Sequence, residues 1–115
     1  MRKSKIASAA AHEDSLLSEI TKRLVRAYQP ECVYLFGSMA RGDAGPDSDY
    51  DILLVVPDDA APETLSARLA YDVLWGLQTS ADVHILPRGK FDSRLHLKAS
   101  LPATIAREGK LLYAA

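Results

Sequence analysis

The run Tyr50-Asp51-Ile52-Leu53-Leu54-Val55-Val56, closed by Pro57, constrains the fold of this chain more than any other segment. Consecutive aliphatic residues rich in β-branching favour a strand, and proline cannot extend the hydrogen-bond ladder beyond it. Two further runs are β-prone. Cys32-Val33-Tyr34-Leu35-Phe36 stops at Gly37, and Asp82-Val83-His84-Ile85-Leu86 is closed by Pro87-Arg88-Gly89. Helical periodicity fills the intervals. From Glu13, the residues Leu16, Leu17, Ile20, Leu24 and Val25 recur three or four apart, and this helix is expected to end near Tyr28 because Gln29 precedes Pro30. Pro62 and Glu63 open a second helix carrying Leu65, Leu69, Val73, Leu74 and Leu77. A last helical segment is expected from Ser93 to Arg107, split or kinked at Pro102 and stopped at Glu108-Gly109. Strands alternating with helices predict an α/β (α+β) fold, a small mixed sheet with helices packed on it.

With 115 residues the chain is the size of one domain, expected over 12–115 behind a flexible leader at 1–11. A formal net charge of −1 gives no field for a nucleic-acid backbone or an anionic membrane, so neither partner is expected. A small anionic substrate remains open, since a divalent metal can supply positive charge locally. Cys32 is the single cysteine and has no internal partner, so a buried structural thiol is expected. No window approaches the roughly 18 apolar residues of a membrane span, and Ala7-Ser8-Ala9-Ala10-Ala11 after the basic start is too short and too weakly apolar for a secretory h-region. These features predict a cytoplasmic protein.

The chemistry is concentrated between residues 37 and 51. Asp49 and Asp51 stand two apart where a strand begins, so their carboxylates share a face and can converge on one point. Two anions so close repel unless a cation joins them, and oxygen ligands with open positions suit Mg²⁺. Asp82 begins the next predicted strand. If the two strands are neighbours, it completes a three-carboxylate site able to hold two ions. Gly37-Ser38 follows a strand and opens a turn-rich stretch, with one helical turn predicted around Ser38 to Arg41. Glycine lets the backbone pass close to a ligand, and free N–H groups there make a concave anion site. Ser38 adds a hydroxyl donor, and Arg41 lies one turn further on, within reach of a phosphate. From Asp43 to Glu63 the chain carries seven acidic side chains and no basic one. The chemistry implied is attack on the α-phosphorus of a nucleoside triphosphate, with pyrophosphate released.

The segment from Gly37 through Ala40-Arg41-Gly42 and Ser48-Asp49-Tyr50-Asp51 to Val55 resembles the signature of the minimal nucleotidyltransferases, small members of the DNA polymerase beta-like superfamily. The resemblance covers nearly the whole chain. It implies Asp49, Asp51 and Asp82 as metal-binding catalytic residues, and Gly37, Ser38, Arg41 and Ser48 around the nucleotide. It also implies Mg²⁺ as cofactor and ATP as donor. The second, helical domain of larger relatives is missing, so a partner is expected to finish the pocket. Similar minimal enzymes pair with a helical HEPN-type ribonuclease toxin and act as its antitoxin, in some systems by placing AMP on a toxin tyrosine. The alternative is an antitoxin that neutralises its partner by binding alone.

Other residues have plainer expectations. His84 alternates with Asp82 and is expected to be a packed or surface histidine, with a role at the site as the alternative. Tyr71 and Trp75, four apart, are expected to pack in the core, with a partner interface as the alternative. Arg88, Lys90, Arg94 and Lys98 are expected to form a solvated basic face.

Overall fold

The computed structural model describes residues 8–45, 49–77 and 79–115, with side chains from residue 15 onward. Ser48 and residues 1–7 of the expected leader lie outside the described residues. The elements run α1 (Ser8–Tyr28), β1 (Cys32–Phe36), α2 (Ser38–Arg41), β2 (Tyr50–Val56), a 3₁₀ turn (Pro62–Leu65), α3 (Ala67–Leu74), β3 (Ala81–Pro87), α4 (Arg88–Ser93), α5 (Leu101–Glu108) and β4 (Lys110–Ala114). The four strands form one mixed sheet in the order β3-β2-β1-β4. β1 is antiparallel to both β2 and β4, while β2 and β3 are parallel and joined through α3, the crossover that parallel pairing requires.

Alternation along β1 and β2 sends side chains to two faces, and each face has its own apolar cluster. Val33, Leu35, Tyr50, Ile52, Leu54 and Val56 pack with Ile20, Leu24 and Tyr28 of α1 and Ala70 of α3. Leu53 and Val55 point the other way, onto Phe91 of α4 and Ile105 of α5. Both sides of β2 are therefore covered, which is why its aliphatic run has no polar alternation. Two polar ties fix α1 against the α3 region: the Tyr28 hydroxyl donates to the Ser66 carbonyl at 2.6 Å, and Arg23 Nη1 donates to the Val73 carbonyl at 3.1 Å.

Several boundaries differ from those the sequence predicts. α1 begins at Ser8, so residues 8–11 are helical. Its end is as expected, since Gln29 turns into the left-handed region at φ 50°. The helix expected from Pro62 is interrupted at Ser66, whose side chain caps α3 by accepting from the Arg68 N–H at 3.1 Å. Of the helix expected over 93–107 only α5, from Leu101, forms; residues 94–100 lie between it and α4, which occupies Arg88–Ser93 and touches the expected segment only at Ser93. Pro102 starts α5 rather than kinking it, and Ser100 caps it by accepting from Ala103 N–H. Gly109 leads into β4, a strand absent from the sequence reading. A side chain at 109 would press on the Ile105 and Leu35 carbonyls, so the chain can return to β1 there only as glycine.

Candidate active site

β1 ends at the site. Its last residue, Phe36, lies opposite Asp51 in the antiparallel register. Gly37 then takes φ 76° and ψ −158°, a region open essentially only to glycine. Any side chain there would also collide with the Asp51 carboxylate. The backbone thus passes directly over Asp51 before α2 makes one turn, closed by Gly42 at φ 84° with its N–H on the Ser38 carbonyl. Ser38 is half-buried at the start of that turn. The opening N–H groups of a helical turn have no intrahelical acceptors.

The parallel register of β2 and β3 places Asp51 beside Asp82 and Tyr50 beside Ala81. Register partners on adjacent strands share a face, so the two carboxylates are neighbours. Burial raises the Asp51 carboxyl above its ordinary range first; the charge of Asp82, and less strongly that of Asp49, push the same way, while His84 and Arg41 oppose them. Asp49 and Asp82 are exposed. His84 pairs with Asp82, Nε2 to Oδ2 at 3.3 Å, and its ring lies 5.7 Å from that of Phe36.

Among the described residues, no group of three or more His, Cys, Asp or Glu side chains is gathered tightly enough to hold a metal. Asp49, Asp51 and Asp82 are electrostatic neighbours, not a closed ligand cage. Their chemistry nevertheless fits a hard divalent cation. All three offer carboxylate oxygens, the burial and repulsion at Asp51 are what such a cation would offset, and the two exposed members are free to rotate toward it.

Other expected site residues have different surroundings. Arg41 turns to its own loop and pairs with Asp43 at 3.2 Å, half exposed. Cys32 is half-buried against Arg88, whose Nη2 donates to its sulfur at 3.3 Å. Arg88 also pairs with Glu31 and Asp92, so the basic stretch is partly tied down by acids. The core placement expected for Tyr71 and Trp75 is overturned. They are 62% and 71% exposed, and their rings lean on each other at 5.5 Å. At about 100° per residue Tyr71 lies roughly 200° from Leu69, so the helical wheel already set it away from the Leu69 stripe. Tyr71 and Trp75 border a cleft of about 740 Å³ that also takes in Asp49, Asp82, Thr79 and Ser80. The sequence reading missed this cleft.

The nucleotidyltransferase domain family model matches residues 17–111. The chain belongs to this family. The match runs from the middle of α1 into β4, so it contains the whole sheet up to its last strand. Nucleotidyltransferase domains generally use a nucleoside triphosphate and a divalent metal. Solved structures share the fold. One, from Sulfolobus solfataricus and assigned as a nucleotidyltransferase, aligns over 97% of this chain and 93% of its own at a TM-score of 0.60 and 21% identity. A toxin–antitoxin structure with AMP-PNP aligns over 84% of this chain and 73% of its own, at a TM-score of 0.56 and 24% identity. A variant of the toxin–antitoxin MntA-HpeT, with two aspartates replaced by glutamate, covers 85% and 72% at a TM-score of 0.57 and 21% identity. No curated protein matches the chain significantly. Among the described residues, no helix of this nucleotidyltransferase domain is long and apolar enough to cross a membrane.

Proposed function

We propose that this chain is a Mg²⁺-dependent nucleotidyltransferase that moves AMP from ATP onto a tyrosine hydroxyl of a helical HEPN-type toxin, for which it is the antitoxin. The observation that carries the reading is the pairing of Asp51 with Asp82 across β2 and β3, beneath a glycine turn that only glycine can make. Asp49, Asp51 and Asp82 would hold the metal, two ions in the full three-carboxylate arrangement. Bound Mg²⁺ supplies the charge that neutralises the triphosphate and lowers the pKa of the acceptor hydroxyl. The turn amides and the Ser38 hydroxyl would donate to the triphosphate, and Ser48 would join them. Arg41 would have to leave Asp43, an exposed pair that costs little to break. Asp82 lies at the exposed side of the site, where an acceptor hydroxyl arrives, and pairs there with His84.

The partner and donor rest on likeness. The fold is shared with toxin–antitoxin assemblies, one of them crystallised with AMP-PNP. The half-exposed face carrying Asp51, Asp82 and His84 supports an acceptor brought by a second protein.

The test is incubation of the chain with Mg²⁺ and each α-labelled nucleoside triphosphate, alone and with the protein encoded in the adjacent reading frame. Label from ATP is expected on a tyrosine of that protein. Label that moves under no pairing overturns the enzymatic reading. A double variant, Asp49→Asn with Asp51→Asn, that still neutralises the toxin would favour protection by binding alone.

A further inference from the structure

The cleft beside the carboxylates has a wall that the phosphate chemistry leaves unused. Asp49 and Asp82 share its lining with Tyr71, Leu74 and Trp75 at the C-terminal end of α3. Its volume of about 740 Å³ lies within the ~300–1,000 Å³ usual for small-molecule sites. Large aromatic side chains are normally well covered in a folded domain, yet Tyr71 and Trp75 are 62% and 71% exposed. Their rings are tilted at 54° with centroids 5.5 Å apart, which makes a corner with one free face rather than a closed stack. A flat aromatic ligand can lie on such a face, and stacking of this kind tolerates any base because each has a π-surface. Thr79 and Ser80 add hydroxyls to the same cleft for the polar edge of that ligand.

We infer that Tyr71 and Trp75 form the platform for the nucleobase of the donor nucleotide, whose Mg²⁺-bound triphosphate lies beside Asp49 and Asp82. This rests on the nucleotidyl-transfer reading above and adds the residues that hold the base. Continuity of one cleft from the carboxylates to the aromatic corner is the reason for choosing a nucleotide as its occupant. Stacking without a charged partner also predicts weak discrimination between adenine and guanine.

Trp75 is the only tryptophan, so its emission reports on the proposed site directly. The intact chain with Mg²⁺ is titrated separately with ATP, GTP and inorganic tripolyphosphate. ATP and GTP are expected to quench Trp75 to similar extents, and tripolyphosphate to leave it unchanged. By calorimetry, Tyr71→Ala and Trp75→Ala should each weaken ATP about tenfold, leave tripolyphosphate unaffected, and keep the wild-type melting temperature. Trp75→Phe should retain most of the affinity. ATP affinity within twofold of wild type in both alanine variants overturns the platform, including a case where they lose only capture of a protein partner. ATP binding that depends on Tyr71 and Trp75 in a chain that transfers no label would instead sink the proposed reaction and leave the platform standing.

Discussion

Asp51 at the start of β2 and Asp58 just past its end each lie against a glycine from another element, Gly37 and Gly89. At the far end the contact is structural. Asp58 accepts the Gly89 N–H at 2.8 Å and so ties the loop after β2 to the first turn of α4. At the near end Gly37 offers Asp51 no hydrogen bond; it only lets the backbone pass. Among the described residues no donor reaches the Asp51 carboxylate, which burial and the neighbouring Asp82 hold above its ordinary range. A satisfied carboxylate stabilises a fold, whereas an unsatisfied one among like charges is kept at a cost and suits a cation.

Breaking the near end should have the largest effect. Asp49→Asn with Asp51→Asn is expected to slow nucleotidyl transfer about a thousandfold or more, roughly 4 kcal/mol of lost transition-state stabilisation. Single-turnover label transfer measures it, and circular dichroism should show an unchanged fold. Gly37→Ala comes next. The backbone region it needs costs a non-glycine residue about 1–3 kcal/mol, and the new methyl must displace Asp51. Transfer should fall about a hundredfold and the melting temperature by roughly 5 °C or more.

The far end should respond oppositely. Asp58→Ala removes the acceptor of the Gly89 amide and should cost about 1 kcal/mol, lowering the melting temperature by roughly 4–8 °C with transfer per folded molecule unchanged. A loss of transfer there would erase the contrast between the two ends.

The smallest effect sharpens the comparison through its sign. The Asp51 carboxyl titrates above its unfolded value, so folding binds its proton more tightly. That contribution is present below the unfolded value and lost as pH rises through the folded one, so at neutral pH ionised Asp51 destabilises the metal-free chain. Asp51→Asn in chelator should therefore raise the melting temperature slightly, by about 1–3 °C at pH 7, with the gain vanishing in acid. A decrease at pH 7 would mean the carboxylate is satisfied after all.

Much of the fold was legible because local patterns agreed with the tertiary environment. The run Ile52–Val56 reads as a strand since both of its faces are buried, and Gln29-Pro30 ends α1 through backbone sterics alone. Where the sequence misled, a neighbour overrode the pattern. Pro102 suggested a kink, but Ser100 supplied a cap and made it a helix start. Lys110–Ala114 shows no isolated strand signal, because it is an edge strand paired on one side only, with Leu111 exposed. Tyr71 and Trp75 are four apart, as core residues often are, and although the helical wheel sets Tyr71 off the Leu69 stripe, only the packing of α3 brings the two rings to a cleft shared with Asp49 and Asp82.

By itself the sequence determined the parts of the site that depend on local geometry. A glycine after a strand, a single helical turn and two aspartates two apart follow from backbone sterics and strand alternation. The tertiary structure alone decided that β2 and β3 are parallel neighbours with Asp51 level with Asp82, that the Gly37 backbone lies on the Asp51 carboxylate, and that an aromatic corner stands beside the acids. These are contacts between residues far apart in the chain. They form only when the apolar faces of β1 and β2 are buried together, so no local spacing can announce them.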